Sequence, residues 1–169
     1  MEVALVWDSR QAVDFAARLD VFRGKVSLPI NAVLSEKLRG ALTAHHRTEV
    51  ALRQMTFLYP KNRLASQRKS SPLVTLHFNH LEPRAINEYH KQMLHVFAVP
   101  NVAIDQSAAP KILSYNYEPS HPCYCLVAKE VPSNFELSFT LGHTLQDPID
   151  LNECCIYLRL HYRFSSCQD

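Results

Sequence analysis

A chain of 169 residues, 47% hydrophobic and 20% charged, has the size and composition of one folded domain and excludes wholesale disorder. A formal net charge of +2 means that any affinity for nucleic acid or membrane must come from a local patch. Only 3 glycines stand against 10 prolines, and neither GxGxxG nor GxxxxGK[ST] occurs, which excludes the common nucleotide-binding enzyme classes.

The elements are predicted from periodicity and punctuation. Val3 to Trp7 is a short apolar run that reads as an opening strand. Asp8 or Ser9 then caps a helix whose apolar positions Ala12, Val13, Phe15, Ala16, Leu19 and Phe22 keep helical spacing, with Gly24 placed to end it. A second helix is predicted from Pro29 to Ala44, with Ile30, Val33, Leu34, Leu38 and Leu42 along one stripe. His45 and His46 follow at its end, where a cation complements the helix dipole. From Val50 to Tyr59 two patterns compete. Met55, Phe57 and Tyr59 alternate as in a strand, Leu52, Met55 and Leu58 suit a helix, and the strand is preferred.

Lys61 to Pro72 is a polar, basic loop, and Leu73 to Phe78 is a strand with Val74, Leu76 and Phe78 on one side. Pro83 is expected to start a helix through Phe97, with Ile86, Tyr89, Met93, Leu94 and Phe97 as its stripe. Asn101 to Pro110 is a connection. Four strands then follow: Ile112–Tyr117, Cys123–Lys129, Phe135–Leu141 and Cys155–Phe164. The last alternates strictly, with Ile156, Leu158, Leu160, Tyr162 and Phe164 on one face and Tyr157, Arg159, His161 and Arg163 on the other. The expected fold class is α+β in a single domain, 1–169. Residues 1–100 form a mixed half whose helices and short strands pack on a mainly antiparallel sheet from residues 101–169, giving two layers.

No run of about 18 apolar residues is present, so no transmembrane helix is expected. The N-terminus lacks the basic start and apolar core of a signal peptide, which predicts an intracellular protein of cytoplasm or nucleus, not a secreted one. The 5 cysteines (Cys123, Cys125, Cys154, Cys155, Cys167) are an odd number without scaffold spacing and read as free thiols.

For metal chemistry the best cluster is His121, Cys123 and Cys125, whose H-x-C-x-C spacing could hold a structural zinc if extended, completed by Cys154, Cys155 or His161. A zinc deaminase would need P-C-x-x-C, and Pro122-Cys123-Tyr124-Cys125 is one residue short of it. The strands Leu73-Val74-Thr75-Leu76 and Ser138-Phe139-Thr140-Leu141 resemble the paired H-x-[ST] strands of two-histidine phosphoesterases. Leu73 and Ser138 stand where the catalytic histidines belong, so the resemblance implies no such activity. His77, His80, His90 and His95 share a helix-turn segment on this reading and would form a pH-sensitive surface.

The strongest functional signal is electrostatic. No acidic residue lies between Glu49 and Glu82, while Arg53, Lys61, Arg63, Arg68 and Lys69 fall inside that window. Lys61, Arg63, Arg68 and Lys69 in the loop, with Arg159 and Arg163 on the last strand, are the predicted contacts to phosphates of RNA or an anionic membrane. Tyr157 and Tyr162 are the predicted interface residues, since a ten-residue strand without proline or lysine is either central in its sheet or paired with another chain. The expected function is a non-enzymatic structural or adaptor protein without cofactor, acting by self-association or by binding another protein. In class it is similar to small virus-encoded matrix, coat or accessory proteins and to subunits of larger assemblies. Sequence-tolerant nucleic-acid binding, and a zinc-containing or hydrolytic enzyme using residues 121–125, are the alternatives.

Overall fold

The structure is a computed structural model that describes residues 1–11, 20–60, 73–86, 89–98, 112–142 and 148–165. In chain order it comprises β1 (Glu2–Asp8), β2 (Lys25–Pro29), helix α1 (Ala32–Ala44), β3 (Arg47–Pro60), β4 (Leu73–Phe78), β5 (Arg84–Ile86) and β6 (Tyr89–Lys91). There follow β7 (Met93–Ala98), β8 (Ile112–Tyr117), β9 (Tyr124–Leu126), β10 (Asn134–Leu141) and β11 (Cys155–Ser165). Strands hold 58% of the described residues and helices 13%, so the expected α+β class is overturned. The protein is mostly β, built from two antiparallel sheets.

One sheet, A, runs β1-β11-β3-β8, with β9 pairing β3 further along. The other, B, runs β2-β10-β4-β7. The pairing is nested: β1 with β11, β2 with β10, β3 with β8, and β4 with β7, all antiparallel. The chain is thus one long hairpin, folded so that successive pairs fall alternately in the two sheets. Eight strands in this order make a jelly roll. Strands from both sides of residue 100 enter each sheet, so the predicted division into a helical layer and a strand layer is replaced by two interleaved sheets.

The sheets pack face to face through aromatic side chains. Phe57 on β3 stacks on Phe139 of β10 with centroids 5.4 Å apart and meets Phe97 of β7 edge-on at 6.1 Å. Phe97 in turn stacks on Tyr115 of β8 at 4.3 Å. β11 behaves as its alternation requires, burying Ile156, Leu158, Leu160 and Tyr162, and it is central in its sheet between β1 and β3.

Two irregularities account for the ambiguous and the failed helix expectations. Along β3, Gln54 opposes Arg159 and Leu52 opposes Leu160, which leaves Arg53 as an extra residue. Val50 and Leu52 therefore point inward before it and Met55, Phe57 and Tyr59 after it. Along β7, Leu76 opposes His95 and His77 opposes Met93, with Leu94 left over. Leu94 and Phe97 are both buried, three apart, in a strand. A bulge converts period two into a step of three, and the stripe from Ile86 to Phe97 borrows its helical look from that step. The expected helix from Pro83 to Phe97 is in fact β5, β6 and β7.

α1 is an excursion between β2 and β3. Asn31 caps it by accepting from the Leu34 amide at 2.8 Å, and Leu38 is its one wholly buried side chain. The helix starts at Ala32, because Pro29 belongs to β2 and pairs with Asn134. Residues 20–22 are helical and 12–19 lie outside the described residues. Gly24 follows at φ +70, where an added Cβ would collide with the carbonyl of Phe139. No helix among the described residues is long and apolar enough to cross a membrane.

Candidate functional site

The outer face of sheet A carries the cationic and aromatic side chains predicted from the last strand. Arg159 is exposed, Tyr157 and His161 are half-buried, and Arg163 lies opposite Glu49 on β3. β9 adds Tyr124, whose hydroxyl is 2.7 Å from His161 Nδ1 and whose ring lies 3.9 Å beneath the Arg163 guanidinium. Arg163 Nε donates to Glu49 Oε2 at 2.9 Å, and Arg47 Nη2 donates to Glu49 Oε1 at 2.8 Å. Burial pushes the Glu49 carboxyl up, but the hydrogen bonds from Arg163 and Arg47 outweigh it and hold the group below the usual carboxylate range.

His161 sits in a positive field. Burial lowers its affinity for a proton first, then the N-terminal ammonium, with Arg53 and Arg163 pushing the same way and Glu2 opposing. Among the described residues, Arg53 and Arg159 have neither hydrogen bond nor ion pair, so both cations are available to an outside anion. Arg163 is already committed to Glu49 and Tyr124, and a phosphate would have to share it.

The other predicted residues fall elsewhere. Lys61, Arg63, Arg68 and Lys69 lie outside the described residues, between β3 and β4. Tyr162 is a correction: it is 1% exposed, inside the core, with its hydroxyl 2.9 Å from His80 Nδ1, and cannot serve a surface interface. The alternation of β11 already assigned it to the buried side. His80 is likewise no surface histidine but fully buried, 5.9 Å from the Phe135 ring and 5.7 Å from the Tyr162 ring. Burial pushes its pKa down to about 4, against a smaller upward pull from the Ala128 backbone.

His121 is exposed beside Ser120 Oγ at 3.1 Å, Cys123 is exposed and Cys125 is half-buried. The first two precede β9 and do not share its alternation with Cys125. No group of three or more His, Cys, Asp or Glu that could hold a metal ion occurs among the described residues, so the three proposed zinc ligands do not form a site there. The sequence reading missed Tyr124 and Glu49. Glu49 could have been found from its place two residues after Arg47, on the same strand face. The pairing of Tyr124 with β11's neighbour had no sequence signal.

Comparison with protein-family models and with curated proteins found no match to this chain.

Proposed function

We propose that this protein is a non-enzymatic jelly-roll subunit that self-associates and contacts RNA through the outer face of sheet A. The observation that carries the RNA contact is the cluster of Arg53, Arg159, Arg163 and the N-terminal ammonium around His161, interleaved with Tyr124 and Tyr157. Cations meet phosphates, and aromatic rings on a sheet can stack unpaired bases. A membrane headgroup would use only the charges, so the interleaved rings favour RNA.

Self-association rests on analogy of fold. Jelly rolls recur in viral capsid subunits and in lectins, and fold alone does not specify function. The exposed apolar side chains Val6, Phe22, Val33 and Ile112 supply surface for such contacts.

The test is light scattering after size exclusion, followed by binding of single-stranded RNA over a salt series. A defined oligomer is expected, with salt-sensitive RNA affinity. Arg53→Glu with Arg159→Glu should reduce the salt slope by roughly 1.4, about 0.7 per lost phosphate contact. A strict monomer that ignores RNA at low salt overturns the proposal. Binding to anionic vesicles but not to RNA replaces the partner.

A further inference from the structure

The outer face of sheet B is not an ordinary wet sheet face. The strand parity that buries Val74, Leu76 and Phe78 on β4, and Phe135, Leu137 and Phe139 on β10, turns Thr75, His77, Glu136, Ser138 and Thr140 outward. Outward residues should be solvated, yet Thr75, His77 and Thr140 are buried, at 0%, 5% and 3% exposure. Pro148 bridges to Thr140, and Thr75 Oγ1 donates to the Gly142 carbonyl. Removing that many polar groups from water is costly unless they are partnered.

On this face lies a hollow of about 300 Å³, at the small end of ligand-site volumes. Its floor is His77 with Nε2 3.1 Å from Thr140 Oγ1, and Ser138 stands directly opposite His77 in the ladder. Arg23, Lys25 and Glu136 complete it, with Lys25 Nζ 3.1 Å from a Glu136 oxygen. The remaining walls are held rigid. Asn79 donates to the Asn134 carbonyl and accepts from the Glu136 amide, both at 2.9 Å, and Gln92 donates to the carbonyls of Asn79 and Leu81. Two cations against one carboxylate leave a net positive site rich in donors. Among the described residues no Phe, Tyr or Trp lines it, so it offers no platform for a base.

We propose that this hollow binds a small hydroxylated phosphate monoester, a sugar phosphate in class. Arg23, Lys25 and Ser138 take the phosphate oxygens. Glu136, with its second oxygen, and the His77–Thr140 floor take the hydroxyls. The site is separate from the RNA face of sheet A and does not depend on it.

Titration calorimetry of the full chain with glucose 6-phosphate, glucose and inorganic phosphate tests this. One-site saturable binding of glucose 6-phosphate is expected, weakened about tenfold by Arg23→Gln and by Ser138→Ala, and unchanged by Arg159→Gln on the other sheet. Amide resonances of His77, Ser138 and Thr140 in the unsubstituted protein should shift along the same isotherm, a readout that needs no variant to fold. Absence of saturation, affinity indifferent to both substitutions, or shifts confined to other strands each overturns the site. Equal binding of glucose overturns the anion assignment, and equal binding of inorganic phosphate overturns the hydroxylated part.

Discussion

His80 is the residue at which burial and titration meet. Its imidazole lies between the sheets against Phe78, Phe135 and Tyr162, and Tyr162 is the only titratable side chain facing it among the described groups. The folded protein holds His80 down to about 4 against 6.5 for the ordinary group, so the unfolded chain takes up a proton first as the pH falls. The stability from neutral His80 is complete above pH 6.5 and is lost as the pH falls from 6.5 through about 4. The full loss is roughly 3 kcal/mol at about 1.4 kcal/mol per pH unit. Urea unfolding of the wild type and His80→Gln between those limits checks it: the variant should lose most of the pH slope, and an equal slope assigns the acid sensitivity elsewhere. Glu49 behaves in the same sense for its own reason. Its carboxyl is depressed below 4.5 by Arg163 and Arg47, so its contribution is present above that value and lost as the pH falls through the lowered folded value. Glu49→Gln should lower the urea midpoint by the equivalent of about 2 kcal/mol, since it leaves two guanidinium groups without their shared anion.

At the scale of elements the bulges decide the most. Arg53 resets the parity of β3, and its deletion would turn either Val50 and Leu52 or Met55, Phe57 and Tyr59 out of the core. Deleting Arg53 is therefore expected to abolish cooperative thermal unfolding. Arg53→Ala, which keeps the count, should change stability by less than about 0.5 kcal/mol. The same geometry explains where the sequence was legible. β4, β8, β10 and β11 carry no bulge of their own in the described residues; the existence of all four was readable, and the inward faces of β4 and β11 were readable residue by residue. β3 and β7 each contain a bulge, so their buried residues step by three, and the first looked ambiguous and the second helical. α1 was readable because Leu34, Leu38 and Leu42 recur at four.

For the whole molecule the nested pairing has kinetic and structural consequences. β1 pairs with β11 across nearly the full chain, Glu2 opposite His161, and the N-terminal ammonium donates to the Tyr162 carbonyl at 2.8 Å. Such non-local ladders must close large loops before they are rewarded, which predicts folding on the millisecond-to-second scale typical of β-sandwiches. Because β11 joins β1 to β3, a chain ending at Cys154 should lack cooperative unfolding and near-ultraviolet dichroism. A truncated chain that still folds would refute the central role of β11. The candidate sites follow the same division. Arg159 and Arg163 were visible as outward members of one strand, but Tyr124, Glu49 and the hollow on sheet B assemble from strands far apart in sequence.

What the sequence determined by itself is local: which side of each regular strand is apolar, where proline and glycine interrupt, and that β11 is built to be buried on one face. Those properties repeat every two or four residues and need no partner to be read. The tertiary structure alone decided the strand order, the two bulges, the choice of His80 as the partner of Tyr162 and the burial of Thr75, His77 and Thr140. Each of these depends on which distant strand supplies the opposing face, and complementarity between distant segments is a property of the packed chain, not of any stretch of it.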